Sequence, residues 1–221
     1  MKKLVVITGA SSGIGQATAL RFSALGHPLL LLARRVERLE DLNLPNCICS
    51  KVDVANLDSF QQAVSTAENK FGKTDLIINN AGVMLLGKIQ DQAPEEWQTM
   101  LNTNVLGVLN GIRVVLPQMI EQNGGTIINI SSTAGKVAMA NYAVYCATKH
   151  AVQAITESAR RETAHLNIRI LTVSPGVVET ELLQHITNKS LADSCRQWID
   201  TTMQQGLNAD DIAKEIGRAH V

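Results

Sequence analysis

A chain of 221 residues, 45% of them apolar, is long enough to bury one substantial core, and its length suggests one domain or at most two. Lys plus Arg and Asp plus Glu number 20 each, the formal net charge is zero and no basic run exceeds a pair, which leaves no electrostatic footprint for nucleic acid. The apolar stretches fall far short of the ~20 residues that span a membrane. Met1-Lys2-Lys3 runs directly into Leu4-Val5-Val6-Ile7 with no room for a signal-peptide core, so a soluble cytoplasmic protein without a membrane partner is expected.

The expected elements alternate along the chain. The strands are Leu4 to Thr8, Leu29 to Ala33, Cys47 to Val52, Leu76 to Asn79, Thr126 to Ile130 and Arg169 to Val173. The helical stretches are Ile14 to Leu25, Leu57 to Phe71, Glu95 to Glu121 with a break near Asn104, and Tyr142 to Leu166. Short apolar runs alternating with longer segments of helical period call for a parallel sheet covered on both faces. Right-handed crossovers make it a doubly wound α/β sheet of the Rossmann type, in a single domain. After Pro175 a polar stretch to about Asn208 has weaker periodicity and lies where a substrate lid would be.

Thr8-Gly9-Ala10-Ser11-Ser12-Gly13-Ile14-Gly15 joins the first strand to the first helix with the spacing G-x-x-x-G-x-G. Glycines there let backbone amides approach a pyrophosphate, and the helix amino terminus adds a favourable dipole. Gly9, Ser11, Ser12, Gly13, Ile14 and Gly15 are therefore the candidate phosphate cradle. At the end of the second strand, where an acidic side chain would bind a ribose 2′-hydroxyl, the chain reads Ala33-Arg34-Arg35 with no carboxylate. Guanidinium matches phosphate, so NADP(H) is favoured over NAD(H), with a solvated Arg pair as the alternative.

Tyr145 and Lys149 stand four apart on a helical stretch and share one face. An ammonium beside a phenol favours its charged form, so the Tyr145 pKa is expected to fall toward the range useful for exchanging protons with a carbonyl or alcohol. Two serines, Ser131 and Ser132, precede Tyr145 by fourteen and thirteen residues, and an Asn79-Asn80-Ala81-Gly82 tetrad follows the fourth strand. Cys47, Cys49, Cys146 and Cys195 have no partners at zinc-type spacing and read as reduced thiols, and the five histidines are scattered, so no metal is expected.

With these motifs in this order, the sequence resembles the classical short-chain dehydrogenases/reductases from Val5 to about Lys214. The resemblance implies that Asn80, Ala81 and Gly82 border the adenine ribose, that Asp53 bonds the adenine amino group and that Val54 lies beside the ring. It implies that Pro175, Gly176, Val178 and Thr180 hold the nicotinamide carboxamide. The catalytic Asn falls on Asn104, with Asn102 close enough that register decides, and the catalytic Ser falls on Ser132 rather than Ser131. Singly, each position has a plain structural account as a turn, cap or helix break.

The implied reaction is hydride transfer between nicotinamide and a carbonyl or secondary alcohol of a small molecule. Tyr145 acts as general acid/base, Ser132 holds the substrate oxygen, Lys149 binds the nicotinamide ribose, and Asn104 positions a water that links Lys149 to solvent. An NADP(H)-binding sensor or scaffold without chemistry is the alternative. The family also implies a homodimer or homotetramer built on the helices around Leu106 to Met119 and Tyr145 to Arg160. Leu182, Leu183, Ile186, Trp198, Ile199 and Met203 suggest an apolar lid, and equally a helix packing on its own core.

Asn208-Ala209-Asp210-Asp211 looks like a capped start of the family's last long helix. Glu215-Ile216-Gly217-Arg218-Ala219-His220-Val221 is what one frame of a common sequencing-library adapter, GAG ATC GGA AGA GCA CAC GTC, encodes. Residues 1–214 are accordingly read as the domain and 215–221 as a non-native tail. The family's last strand is then expected to be missing, leaving a sheet edge uncovered.

Overall fold

A computed structural model describes residues 2–202 and 207–220, apart from the side chains of residues 198 and 202. Six parallel strands, β1 (Leu4–Thr8), β2 (Leu29–Ala33), β3 (Cys47–Lys51), β4 (Thr74–Asn79), β5 (Gly125–Ile130) and β6 (Ile168–Val173), form one sheet in the order β3-β2-β1-β4-β5-β6. In register, Ile7 lies beside Leu31 and Ile78, and Ile78 beside Ile128. The central strands carry apolar residues almost without interruption because both faces are covered.

Alternation along β1 shows how the two faces are filled. Leu4 and Val6 join Leu30, Leu32 and Ile127 against α3 (Leu57–Phe71), α5 (Gly107–Glu121) and α6 (Ala143–Glu162), whose Phe60, Val115 and Val152 are fully or almost fully buried. Val5 and Ile7 point to the other face, with Leu31, Ile78 and Ile128. There they meet Phe22 of α1 (Gly13–Ala24), Leu39 of the short α2 (Glu37–Glu40) and Ile212 and Ile216 of α8 (Ala209–His220). The period of two in side-chain direction is what lets one strand serve both cores.

The expected break in the long helical segment is a π-helical turn. α4 (Pro94–Leu101) passes into Asn102–Leu106 in π geometry and then into α5. α5 sits hard against the sheet because Gly111 has no side chain: a Cβ there would lie 2.0 Å from Asn79 Oδ1. β4 begins earlier than expected, at Thr74, whose hydroxyl donates to Glu68 Oε1 at 2.7 Å. α6 ends earlier, at Glu162, and Thr163 returns its hydroxyl to the Ala159 carbonyl.

The weakly periodic stretch after Pro175 holds more regular structure than expected: a 3₁₀ turn over Glu181–His185 and α7 (Lys189–Thr202). Residues 215–220, expected to be a non-native tail, continue α8, with Ile216 fully buried. No strand follows β6 among the described residues, so β3 and β6 are the sheet edges. No helix among them is long and apolar enough to cross a membrane.

The chain turns from β1 to β2 on one side and, after β3, resumes at β4 on the other. That switch leaves a crevice at the carboxyl ends of β1 and β4, where open α/β sheets bind ligands.

Candidate active site

A cavity of about 290 Å³ occupies this crevice. One wall is the glycine loop, held to the end of β4 by reciprocal bonds. Thr8 Oγ1 accepts from the Asn80 and Ala81 amides at 2.9 and 3.0 Å, and Asn80 Nδ2 donates to the carbonyls of Thr8 and Gly9 at 3.0 and 3.1 Å. Gly9 has φ +63°, and a Cβ on it would lie 2.7 Å from Ala81 Cα. A Cβ on Gly15 would lie 2.3 Å from the Gly9 carbonyl oxygen. Gly15 thus stands behind the cavity wall and permits the packing, whereas Gly9, Ser11, Ser12, Gly13 and Ile14 line it. Thr8, not singled out in the sequence, is the acceptor that joins loop and tetrad.

Ser12 caps α1 in extended conformation with no side-chain cap bond, so the first-turn amides are left to an incoming group. Arg34 and Arg35 follow β2 at the same end of the cavity. Arg35 Nη2 is 3.4 Å from both Ser11 Oγ and Ser12 Oγ. It also donates to Glu181 Oε2 at 3.1 Å, and Arg38 Nη1 donates to Glu181 Oε1 at 2.8 Å. Neither Arg38 nor Glu181 was a sequence candidate, since nothing local marks a pair 143 residues apart. Asp53 and Val54 line the cavity beyond β3; Asp53 Oδ1 accepts from the Ala55 amide at 3.0 Å, and Asn110 Nδ2 donates to the Val54 carbonyl at 2.8 Å.

At the other end α6 brings Tyr145 and Lys149 to the cavity, 5% and 6% exposed. Lys149 Nζ donates to the Ile130 carbonyl at 2.9 Å and lies 5.8 Å from the centroid of the Tyr145 ring. The expected lowering of the Tyr145 pKa is overturned. Burial pushes the phenol up to about 12, against a smaller downward pull from its hydrogen bond with Ser132. Burial likewise pulls Lys149 down to about 8. Desolvation disfavours the charged form of each group, and here it outweighs their proximity.

Ser132 and Ser131 diverge. Ser132 Oγ accepts from the Ala134 amide at 3.1 Å and faces Tyr145, whereas Ser131 Oγ donates to the Lys149 carbonyl at 3.0 Å. Asn104 and Asn102 diverge too. Asn104 is buried, accepts from the Val83 amide at 2.9 Å and donates from Nδ2 to the Val83 carbonyl and Thr148 Oγ1. Asn102 accepts from Gln98 at the surface. Asn104 is therefore behind the cavity lining, and Thr103, not foreseen, is in it.

Pro175, Gly176, Val178 and Thr180 line the same cavity, as do Ala81 and Gly82 opposite. Thr180 Oγ1 accepts from the Leu182 amide at 3.3 Å and so shapes the turn that follows. Leu182, Leu183, Ile186, Ala192 and Cys195 pack into one apolar cluster with Val83, Met84 and Tyr145. Cys195 Sγ is 3.2 Å from the Tyr142 hydroxyl. The Trp198 side chain and Met203, also expected in the lid, lie outside the described residues. Among the described residues no group of three or more His, Cys, Asp or Glu is placed to hold a metal ion.

The model of the family described as short chain dehydrogenase matches residues 3–191. The chain belongs to the short-chain dehydrogenase family of oxidoreductases. Within it, the chain is 44% identical to an uncharacterized oxidoreductase of Staphylococcus saprophyticus over 98% of its own length and 89% of the relative's. It superposes on a closed form of serine dehydrogenase complexed with NADP+ with a TM-score of 0.86 at 31% identity, covering 96% of this chain and 87% of that one. It also superposes on a 3-ketoacyl-(acyl-carrier-protein) reductase from Brucella melitensis complexed with NADH, with a TM-score of 0.87 at 29% identity over 97% and 89% of the two chains.

Proposed function

We propose that this short-chain dehydrogenase is an NADP(H)-dependent oxidoreductase acting on a carbonyl or secondary alcohol, with Tyr145 as general acid/base. The observation that carries the reading is the shared cavity: Ser132, Tyr145 and Lys149 line one end of it and Arg34, Arg35 and Ser11 the other. The residues suit a dinucleotide. The loop leaves no room for a Cβ at Gly9, in the wall, or at Gly15 behind it, the helix amino terminus is open to a pyrophosphate, and two arginines rather than a carboxylate follow β2 in the sequence.

Gly9, Ser11, Ser12, Gly13 and Ile14 would hold the pyrophosphate, with Gly15 keeping the loop close. Arg34 and Arg35 would take the 2′-phosphate, Asp53, Val54, Asn80, Ala81 and Gly82 the adenosine, and Pro175, Gly176, Val178 and Thr180 the nicotinamide. Lys149 serves both the ribose and the proton path. When bound, the nicotinamide supplies or accepts the hydride.

The protein's part is the proton and the oxygen. The buried Tyr145 phenol, held up at about 12, keeps its proton at neutral pH and can give it to a carbonyl oxygen as negative charge grows there. Ser132, facing Tyr145, donates to the same oxygen. Lys149, pulled down to about 8, exchanges protons near neutral pH and can restore the one lost. Asn104 ties the π turn to Val83 and, through Thr148, to the helix that carries Tyr145.

The names of the similar structures favour 3-hydroxy acids and the corresponding oxo compounds among the substrates, and the apolar cluster over Tyr145 suits an uncharged part of such a substrate. A homodimer or homotetramer across α5 and α6 is the family's arrangement, and the exposure of Leu109 on α5 and of Leu106 just before it fits the α5 side of such a contact. Fluorescence titration with NADPH and NADH, followed by a screen of ketones, diketones and 3-hydroxy acids, tests the reading. NADPH preference with turnover is expected; binding without turnover of any carbonyl would replace the enzyme with a nucleotide sensor.

A further inference from the structure

Glu181 opens the 3₁₀ turn that leads into the lid segment, and its carboxylate reaches back across the mouth of the cavity to the arginines that follow β2. Oε2 is 3.1 Å from Arg35 Nη2 and Oε1 is 2.8 Å from Arg38 Nη1. Arg35 Nη2 is also within 3.4 Å of Ser11 Oγ and Ser12 Oγ, so the guanidinium stands between the glycine loop and the lid turn. Arg38 first, and Arg35 after it, hold the Glu181 carboxyl below the usual range. The group is ionised at neutral pH. A second anion at these guanidinium groups would face a like charge at hydrogen-bond range.

The same turn is tied to the chemistry. Leu182, Leu183 and Ile186, immediately after Glu181, pack with Ala192 and Cys195 against Tyr145. Thr187 Oγ1 donates to Glu96 Oε1 at 2.5 Å, which fixes the far end of the turn to α4 and leaves Glu181 as its anchor on the arginine side.

We propose that Glu181 is a specificity-determining latch whose carboxylate, bridging Arg35 and Arg38, competes with a nucleotide 2′-phosphate for Arg35, so that 2′-phosphate binding releases the lid turn over Tyr145. The inference rests on the NADP(H) reading. Its consequence is that Glu181 sets how strongly the protein prefers 2′-phosphorylated nucleotides and reports their arrival to the substrate side.

The probes are 2′,5′-ADP and 5′-ADP, which carry no nicotinamide, measured by calorimetry on the wild type and on Glu181→Gln. The substitution keeps the shape and removes the charge. Exposed ion pairs are individually weak, so Glu181→Gln is expected to tighten 2′,5′-ADP by about three- to tenfold, a gain that shrinks as salt rises, and to leave 5′-ADP unchanged. Alkylation of Cys195, followed by peptide mass mapping, is the second readout. It should quicken in Glu181→Gln, and in the wild type on adding 2′,5′-ADP but not 5′-ADP. A wild type that prefers 2′,5′-ADP, with no change in Glu181→Gln, overturns the latch alone. Unchanged Cys195 labelling overturns its coupling to the lid. Equal affinity for the two nucleotides in the wild type and in Glu181→Gln alike overturns the NADP(H) reading itself.

Discussion

Lys149 stands one helical turn beyond Tyr145 with Nζ 5.8 Å from the phenol ring centroid, and it spends a 2.9 Å hydrogen bond on the Ile130 carbonyl. The ammonium is thereby fixed at the end of β5 beside the cavity, and burial rather than mutual attraction sets the acidity of both groups.

This has a measurable effect on stability. The folded-state pKa of Lys149 is pulled from 10.5 to about 8, so between those values the unfolded chain binds a proton that the folded chain has released. Stability contributed at this site therefore rises with pH through that window. The stability of the wild type relative to Lys149→Met should rise by about 2 kcal/mol between pH 7.5 and pH 9.5, measured by urea unfolding. A flat difference would mean that the ammonium is not desolvated.

Tyr145→Phe should lower turnover by about 10²- to 10⁴-fold, the range a positioned general acid contributes, and leave the dissociation constant of NADPH nearly unchanged. Steady-state assay and fluorescence titration on the same preparation separate the two effects. Turnover within a few-fold of wild type would remove Tyr145 from the mechanism.

At Gly15 the added methyl of Gly15→Ala would lie 2.3 Å from the Gly9 carbonyl oxygen and 2.6 Å from Asn80 Nδ2. Overpacking of this kind costs about 1 to 3 kcal/mol. A lowered urea midpoint is expected, with NADPH and NADH weakened alike, because the displaced loop serves the part common to both. Unaltered stability would show that the loop has slack.

Arg35→Ala should act on one nucleotide only. Hydrogen bonds to a charged group are worth about 1.5 to 3 kcal/mol, so NADPH binding should weaken by about 10- to 100-fold while NADH binding holds. Parallel losses for both would place Arg35 in the loop's architecture rather than at the 2′-phosphate.

Asn104→Ala removes the partner of the Val83 amide and carbonyl and of Thr148 Oγ1 in a buried setting. Leaving those groups unmatched should cost about 2 to 4 kcal/mol of unfolding free energy. A loss below about 0.5 kcal/mol would indicate that neighbouring groups or water replace the amide.

Local pattern alone determined a good deal of this protein. The apolar run at Leu4 to Thr8, the glycine loop after it and the four-residue spacing of Tyr145 and Lys149 each depend on neighbours within a few residues, so strand, strand-to-helix loop and shared helix face could be read directly from the chain. The matching family model and the parallel six-stranded sheet agree with that reading of family and fold. Which of Asn102 and Asn104 faces the interior required the register of the helix against its neighbours, which sets Asn104 against Val83 and leaves Asn102 with Gln98 at the surface. The acidity of Tyr145 required its depth, because desolvation belongs to everything packed around a group and not to its nearest neighbour in sequence. Glu181 meets Arg38 across 143 residues, and only the folding of the sheet brings the lid turn back over the end of β2. Hydrogen-bond periodicity is a property of short segments, whereas burial and distant ion pairs are properties of the packed whole, and that is the physical line between what was legible and what was not.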